Sequence, residues 1–156
     1  RTKKIWTMQS GWHNLPQFDP DGAKYDQQPG AAFAAADVTV TDALDGLAMD
    51  LAPAYGSVPG LGRYRRSVHL TDTGLTVHDE TDYLGTVALT LMSVEKPAVD
   101  GDTVAFGALA AAAVTGADKI VTEAVPITDP RLRQAWPDTL YRTRIYFTRQ
   151  LSLVIQ

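Results

Sequence analysis

Apolar and polar residues along this chain alternate with a period of two more often than with the 3.6-residue period of a helix. Over 3–9, Ile5, Thr7 and Gln9 alternate with Lys4, Trp6 and Met8; over 46–52, Leu47, Met49 and Leu51 alternate with Ala48, Asp50 and Ala52. Over 62–70, Tyr64, Arg66, Val68 and Leu70 oppose Arg63, Arg65, Ser67 and His69, and over 75–80, Leu75, Val77 and Asp79 oppose Thr76, His78 and Glu80. Further strands are predicted at 85–94, 102–108, 119–125, 139–149 and 151–155, runs rich in the β-branched and aromatic residues that suit a pleated, half-buried surface. Turn formers such as Pro20-Asp21-Gly22, Pro59-Gly60 and Asp100-Gly101-Asp102 separate them. The Thr71-Asp72-Thr73-Gly74 link predicts a β-hairpin joining 62–70 to 75–80. Many short strands in series predict an all-β fold, an antiparallel stacked-sheet β-sandwich with little or no helix. Two alanine-rich stretches interrupt the pattern. Ala31–Ala36 reads as the entry to a strand at Asp37-Val38-Thr39-Val40, whereas Ala108–Ala113 fits either one helical turn or a small-residue strand.

Composition narrows the class. The 156 residues suit a single domain over 1–156, large enough to bury roughly 70% of its unfolded surface. An apolar fraction of 45% with 21% charged residues is globular rather than disordered, and a net charge of −4 offers no global field for nucleic acid. No apolar run is long enough to cross a bilayer as a helix. With no cysteine, disulfides, thiol nucleophiles and Cys-ligated metals are excluded. The chain opens Arg1-Thr2-Lys3-Lys4-Ile5-Trp6 and closes on the apolar run Leu151-Ser152-Leu153-Val154-Ile155, which predicts a piece of a longer protein and leaves localisation open.

Candidate chemistry is sparse. Arg63, Arg65 and Arg66 flank Tyr64, and alternation over Tyr141–Phe147 puts Arg142, Arg144 and Tyr146 on one face, with Tyr141, Ile145 and Phe147 on the other. A guanidinium fork beside an aromatic ring suits an acidic sugar; the alternative is a solvent face whose arginines pair with the chain's own acids. Trp12-His13-Asn14 offers a ring for stacking, a titratable nitrogen and an amide. His69 and His78 lie on opposite arms of the expected hairpin, where they are either surface residues or a two-ligand metal site without a carboxylate partner. Asp79 and Glu80 are adjacent in a strand and point to opposite faces, so a carboxylate dyad here would need a partner brought near by the tertiary fold. Gly60-Leu61-Gly62 is too short for a phosphate loop, and no Gly-x-Ser-x-Gly elbow occurs. No catalytic residue is expected within this chain.

The segment from Ile5 to Pro16, containing Trp12-His13-Asn14, followed by Asp26-Gln27-Gln28-Pro29-Gly30, resembles the His-Asn segment and Gln-containing follow-on of the heparinase II/III-like polysaccharide lyases. The run Asp129–Arg142, with Trp136 and Leu140-Tyr141-Arg142, is similar to that family's closing strand pattern, while the middle of the chain matches only in its succession of strands. The resemblance implies a two-part enzyme that cleaves uronic-acid-containing polysaccharides by β-elimination. An N-terminal α/α-toroid carries most catalytic groups, and a supersandwich-like C-terminal domain, which this chain resembles, lines the cleft opposite it. It further implies that His13 helps bind a divalent metal, zinc, in the full-length protein. The co-ligands come from an earlier His-x-His and Asp region that this chain does not contain, so no metal is expected in the isolated chain. A turn-capping hydrogen bond to backbone is the other reading of His13. The expected substrate-binding residues are Trp12, His13, Asn14, Arg142, Arg144 and Tyr146, and the expected partners are an acidic polysaccharide and the toroid, with no nucleic acid. Reading the chain instead as a free-standing carbohydrate-binding module would call for an exposed platform of Trp6, Trp12, Tyr141 or Tyr146. A purely structural domain is the third reading.

Overall fold

The structure, a computed structural model, describes residues 5–156. Ten strands account for most of it: β1 (Pro16–Phe18), β2 (Ala36–Val40), β3 (Gly46–Asp50), β4 (Tyr64–Thr71), β5 (Gly74–Thr81), β6 (Val87–Ser93), β7 (Pro97–Asp100), β8 (Thr103–Phe106), β9 (Ala110–Pro126) and β10 (Thr139–Ile155). The helical pieces among the described residues are 3-10 turns of three or four residues. No helix is long and apolar enough to cross a membrane. The fold is all-β and antiparallel, as the period-two pattern requires.

The ten strands form one hydrogen-bonded sheet, in the order β2-β3-β4-β5-β10-β9-β8-β7, with β6 also on β10 and β1 on β6. β10 is the hub. Its first half, Tyr141–Phe147, pairs with β6, and its second half, Gln150–Ile155, pairs with β5, while β9 follows it along the other edge. Between Phe147 and Ser152 the register with β9 shifts, Arg149 takes φ 72°, and opposite it Gly116 takes φ 92°. A side chain at Gly116 would meet the Gln150 carbonyl oxygen at 2.8 Å, so only glycine fits this bend without displacement.

The bend turns the sheet back on itself. Phe18 of β1 meets Tyr64 of β4 with ring centroids 5.5 Å apart, although no backbone hydrogen bonds join those strands. Between the two layers lies the main core: Phe18, Tyr55, Tyr64, Val87, Leu89, Val104, Val114, Ile145, Phe147, Leu151 and Leu153. The layers are thus continuous through β9 and β10 rather than two separate sheets. A second, smaller cluster of Val125, Ile127 and Leu140 lies at the far end of β9 and β10, with Trp6, Trp12, Met92 and Leu132 packed on it.

The hairpin at Thr71–Gly74 forms as expected, with Thr71 opposite Gly74 and the two central residues turning. Gly74 is required because an added Cβ would lie 1.9 Å from the Ile155 carbonyl oxygen of β10. The alanine run resolves as strand: β9 begins at Ala110, where Ala110–Ala113 pairs with β8. The stretches 139–149 and 151–155 are a single bent strand.

Among the described residues the strand expected at the N-terminus does not form. Of the strand expected over 3–9, residues 3 and 4 lie outside the described residues, and the rest forms 3-10 turns at Trp6–Met8 and Ser10–Trp12. The side chains there have a stronger claim on other partners than a sheet would give them. The Ser10 hydroxyl donates to Asp26 at 3.0 Å and accepts from the Gln27 N–H at 2.8 Å, and Trp6 and Trp12 pack on each other. A strand would send residues of equal parity to one face and break the Ser10 contacts.

Candidate functional site

The folded-back N-terminal segment lines a concavity in which aromatic side chains from distant parts of the chain gather. A cleft of about 280 Å³ is lined by Trp6, Thr7, Trp12, His13, Asn14, Met92, Trp136 and Leu140. All three tryptophans of the chain meet there. Trp6 stands edge-on to Trp12 at 4.9 Å between ring centroids and lies 6.4 Å from Trp136. The small apolar cluster beneath supports them, and Trp136 remains 37% exposed at the rim. Aromatic faces with an adjoining imidazole and amide make a surface on which the C–H face of a sugar ring can stack while its hydroxyls find polar partners.

Each residue of the Trp12-His13-Asn14 triplet is held in place. The Arg142 guanidinium stacks 3.8 Å from the Trp12 ring centroid. It also bonds Glu123 and donates to the Gly11 carbonyl at 3.1 Å. Gly11 oxygen additionally accepts from the Thr90 hydroxyl. His13 Nε2 lies 2.8 Å from the Thr7 carbonyl and donates to it, closing the turn that brings Trp6 beside Trp12. The Asn14 carbonyl accepts from Arg66 Nη1 at 2.8 Å. Arg142 is therefore a support behind the cleft rather than part of its lining.

Metal binding has little to build on. Among the described residues no three His, Cys, Asp or Glu side chains come together, and the Nε2 of His13 is already committed. These residues by themselves do not fit a tetrahedral zinc site. His69 and His78 share a face but are not opposite one another: Ser67 faces His78 and Thr76 faces His69. His78 Nδ1 bonds the Ser152 hydroxyl at 2.7 Å.

Arg144 and Tyr146 continue along the outward face of β10 from Arg142, beyond the cleft. Tyr146 is 3% exposed, covered by Lys119, whose ammonium lies 4.2 Å above its ring, and by Arg144 at 5.0 Å, so its face is not an open platform. Burial, and then the charge of Arg142, press Arg144 below the usual guanidinium range.

The inner layer holds the opposite kind of site. Arg66 grips buried Asp79 with two parallel hydrogen bonds of 2.8 and 2.6 Å, and the Tyr64 hydroxyl donates to the same carboxylate at 2.5 Å. Burial alone would lower Arg66, but the bonds and charge of Asp79 outweigh it and hold the guanidinium firmly protonated. Burial, reinforced by Asp79, pushes the Tyr64 phenol up. Asp79 is wholly enclosed, so this network ties β4, β5 and Asn14 together and presents nothing to a ligand.

Sequence reasoning placed Trp6 and Trp12 on a possible platform but missed Trp136, Met92 and Leu140, which the chain brings in from distant segments. Lys119 was missed as well; its only signal is its place opposite Tyr146 in the register of β9 and β10. No protein-family model matches this chain, and no curated protein matches it.

Proposed function

We propose that the chain is a glycan-binding β-sandwich domain of a heparinase II/III-like polysaccharide lyase, forming the wall of a substrate cleft whose catalytic groups lie on a separate α/α-toroid. The observation that carries this reading is the convergence of all three tryptophans with His13 and Asn14 around one open cleft. The sequence resemblance supplies the substrate class, an acidic uronate-containing polysaccharide. In such a lyase a base removes the proton at C5 of the uronate and an acid protonates the departing glycosidic oxygen. The role of this domain is to hold the chain in place by stacking.

Because every tryptophan lies in the cleft, fluorescence excited selectively at tryptophan, apart from the six tyrosines, reports on it alone. Titration with uronate-containing oligosaccharides should quench or shift the emission, while the chain releases no unsaturated uronate from the same substrates. An unaltered spectrum at saturating oligosaccharide would refute glycan binding, and release of unsaturated product would place catalysis in this chain. A free-standing carbohydrate-binding module is the second reading, favoured by the completeness of the cleft within one chain. It requires binding tighter than millimolar without any partner domain.

A further inference from the structure

Arg144 is unusual among the structured arginines of the outer face because its donors are unused. Its side chain is only 18% exposed, yet among the described residues it makes no hydrogen bond, and the nearest carboxylate oxygen, from Asp21, stands at 3.6 Å. The neighbouring Arg142 binds both Glu123 and Gly11. A guanidinium so far withdrawn from water, with five donors and no acceptor, is poised for an anion. Its nitrogens remain reachable, since the one enclosed side-chain polar atom without a partner among the described residues is Thr143 Oγ1.

A second cation converges on the same point. Lys119 Nζ lies 3.8 Å from Asp21 Oδ2 and rests on the Tyr146 ring, over which the Arg144 guanidinium also lies. The Tyr146 hydroxyl donates to Asp21 Oδ1 at 3.3 Å. Asp21 itself is 67% exposed, at the tip of the loop closed by the mutual backbone hydrogen bonds of Phe18 and Tyr25. Along this run three cations, Arg142, Arg144 and Lys119, meet two carboxylates, Glu123 and Asp21.

We propose that Arg144, Lys119 and Tyr146 form a subsite for the acidic group of a glycan, a carboxylate or a sulfate ester, and that Asp21 is a resident stand-in which the ligand displaces. This deepens, and rests on, the reading of the tryptophan cleft as a sugar site. Outward positions on a strand recur about every 7 Å, so Arg142, Arg144 and Tyr146 mark a track about 14 Å long leading away from Trp12. Displacement is easy because Asp21, itself 67% exposed, is held only by two ion pairs of 3.6 and 3.8 Å and a 3.3 Å hydrogen bond from Tyr146, all at the long end of their range. The ligand oxyanion gains the unused donors of Arg144 in exchange.

The test is fluorescence and calorimetric titration of the chain with three probes: an unsulfated glucuronate-containing oligosaccharide, a sulfated dextran oligosaccharide and an uncharged dextran oligosaccharide. Asp21→Asn should tighten an acidic probe by about threefold, and Arg144→Gln and Lys119→Ala should each weaken it by about tenfold, leaving the uncharged probe unchanged. Added salt should erase the difference. Whichever acidic probe responds identifies the group. Lys119 is exposed, so its variant controls against misfolding of Arg144→Gln. The subsite is overturned if Asp21→Asn leaves acidic binding unchanged or weaker, or if the uncharged probe loses affinity in the same variants. If no probe binds at all, the sugar-site reading falls and the subsite with it.

Discussion

Two aromatic clusters sit on opposite sides of the same layer, and they are finished differently. Around Phe18, the rings of Tyr55, Tyr64 and Tyr83 pack edge-on at 4.9, 5.5 and 5.3 Å. The two most enclosed of these tyrosines are satisfied, Tyr55 by the Pro16 carbonyl and Tyr64 by Asp79, and the adjoining arginine spends its fork on the same carboxylate. Around Trp6 the rings are similarly spaced, but one side is left open and the histidine and asparagine face a cleft. Ring packing alone does not distinguish a core from a binding surface. What distinguishes them is whether one side of the ring cluster is left open as a cleft.

The sharpest way to break this contrast is Asp79→Ala. It leaves Arg66 and the Tyr64 hydroxyl without their shared acceptor, and should lower unfolding free energy by about 3–5 kcal/mol in a urea titration. Asp79→Asn, which keeps the shape, should destabilise less. A smaller effect of opposite sign is expected at Thr143, fully enclosed on β10 with its hydroxyl unpaired. Thr143→Val should raise stability by about 1 kcal/mol, visible as a higher melting temperature.

At the open cluster the effects separate. Trp136→Ala should change stability by less than about 1 kcal/mol, since the ring sits at the rim. Oligosaccharide affinity, read by calorimetry, should fall about tenfold in that variant through lost stacking. The smallest expected effect concerns Asp82. Its carboxyl is exposed and slight desolvation works against its charge, but the N–H groups of Arg63 and Gly62, each at 2.9 Å, outweigh this and hold it below its ordinary value. A depressed carboxyl stabilises the fold fully above its unfolded value, near about pH 4, and that contribution is lost as pH falls through the lower folded value. Asp82→Asn should therefore flatten the acid limb of the stability profile slightly.

Much of the fold was legible because strand alternation is a local property. The hairpin of β4 and β5 could be read from Thr71-Asp72-Thr73-Gly74 alone, since the turn residues and flanking parity agree. The N-terminal alternation misled because Trp6 and Trp12 find their partners in each other and in Trp136, and not in a strand. The continuity of β9 and β10 was hidden for a different reason: a bend at Gly116 and Arg149 looks in sequence like a strand ending. At the site, Trp12, His13 and Asn14 could be read as a local cluster, whereas Lys119 owes its place to register across the sheet and Trp136 to the loop that joins β9 to β10. Arg142 and Arg144 look alike in sequence, but only Arg142 has a carboxylate and a carbonyl within hydrogen-bond distance.

The central position of β10 has a consequence for biosynthesis. It follows β5, β6 and β9 in the chain, yet each of them pairs with it. On the ribosome those three strands emerge with bare edges and wait for the segment that will cover them. Until it arrives they are templates for pairing with neighbouring nascent chains. Yield of soluble material should thus depend on how quickly that last long strand is delivered.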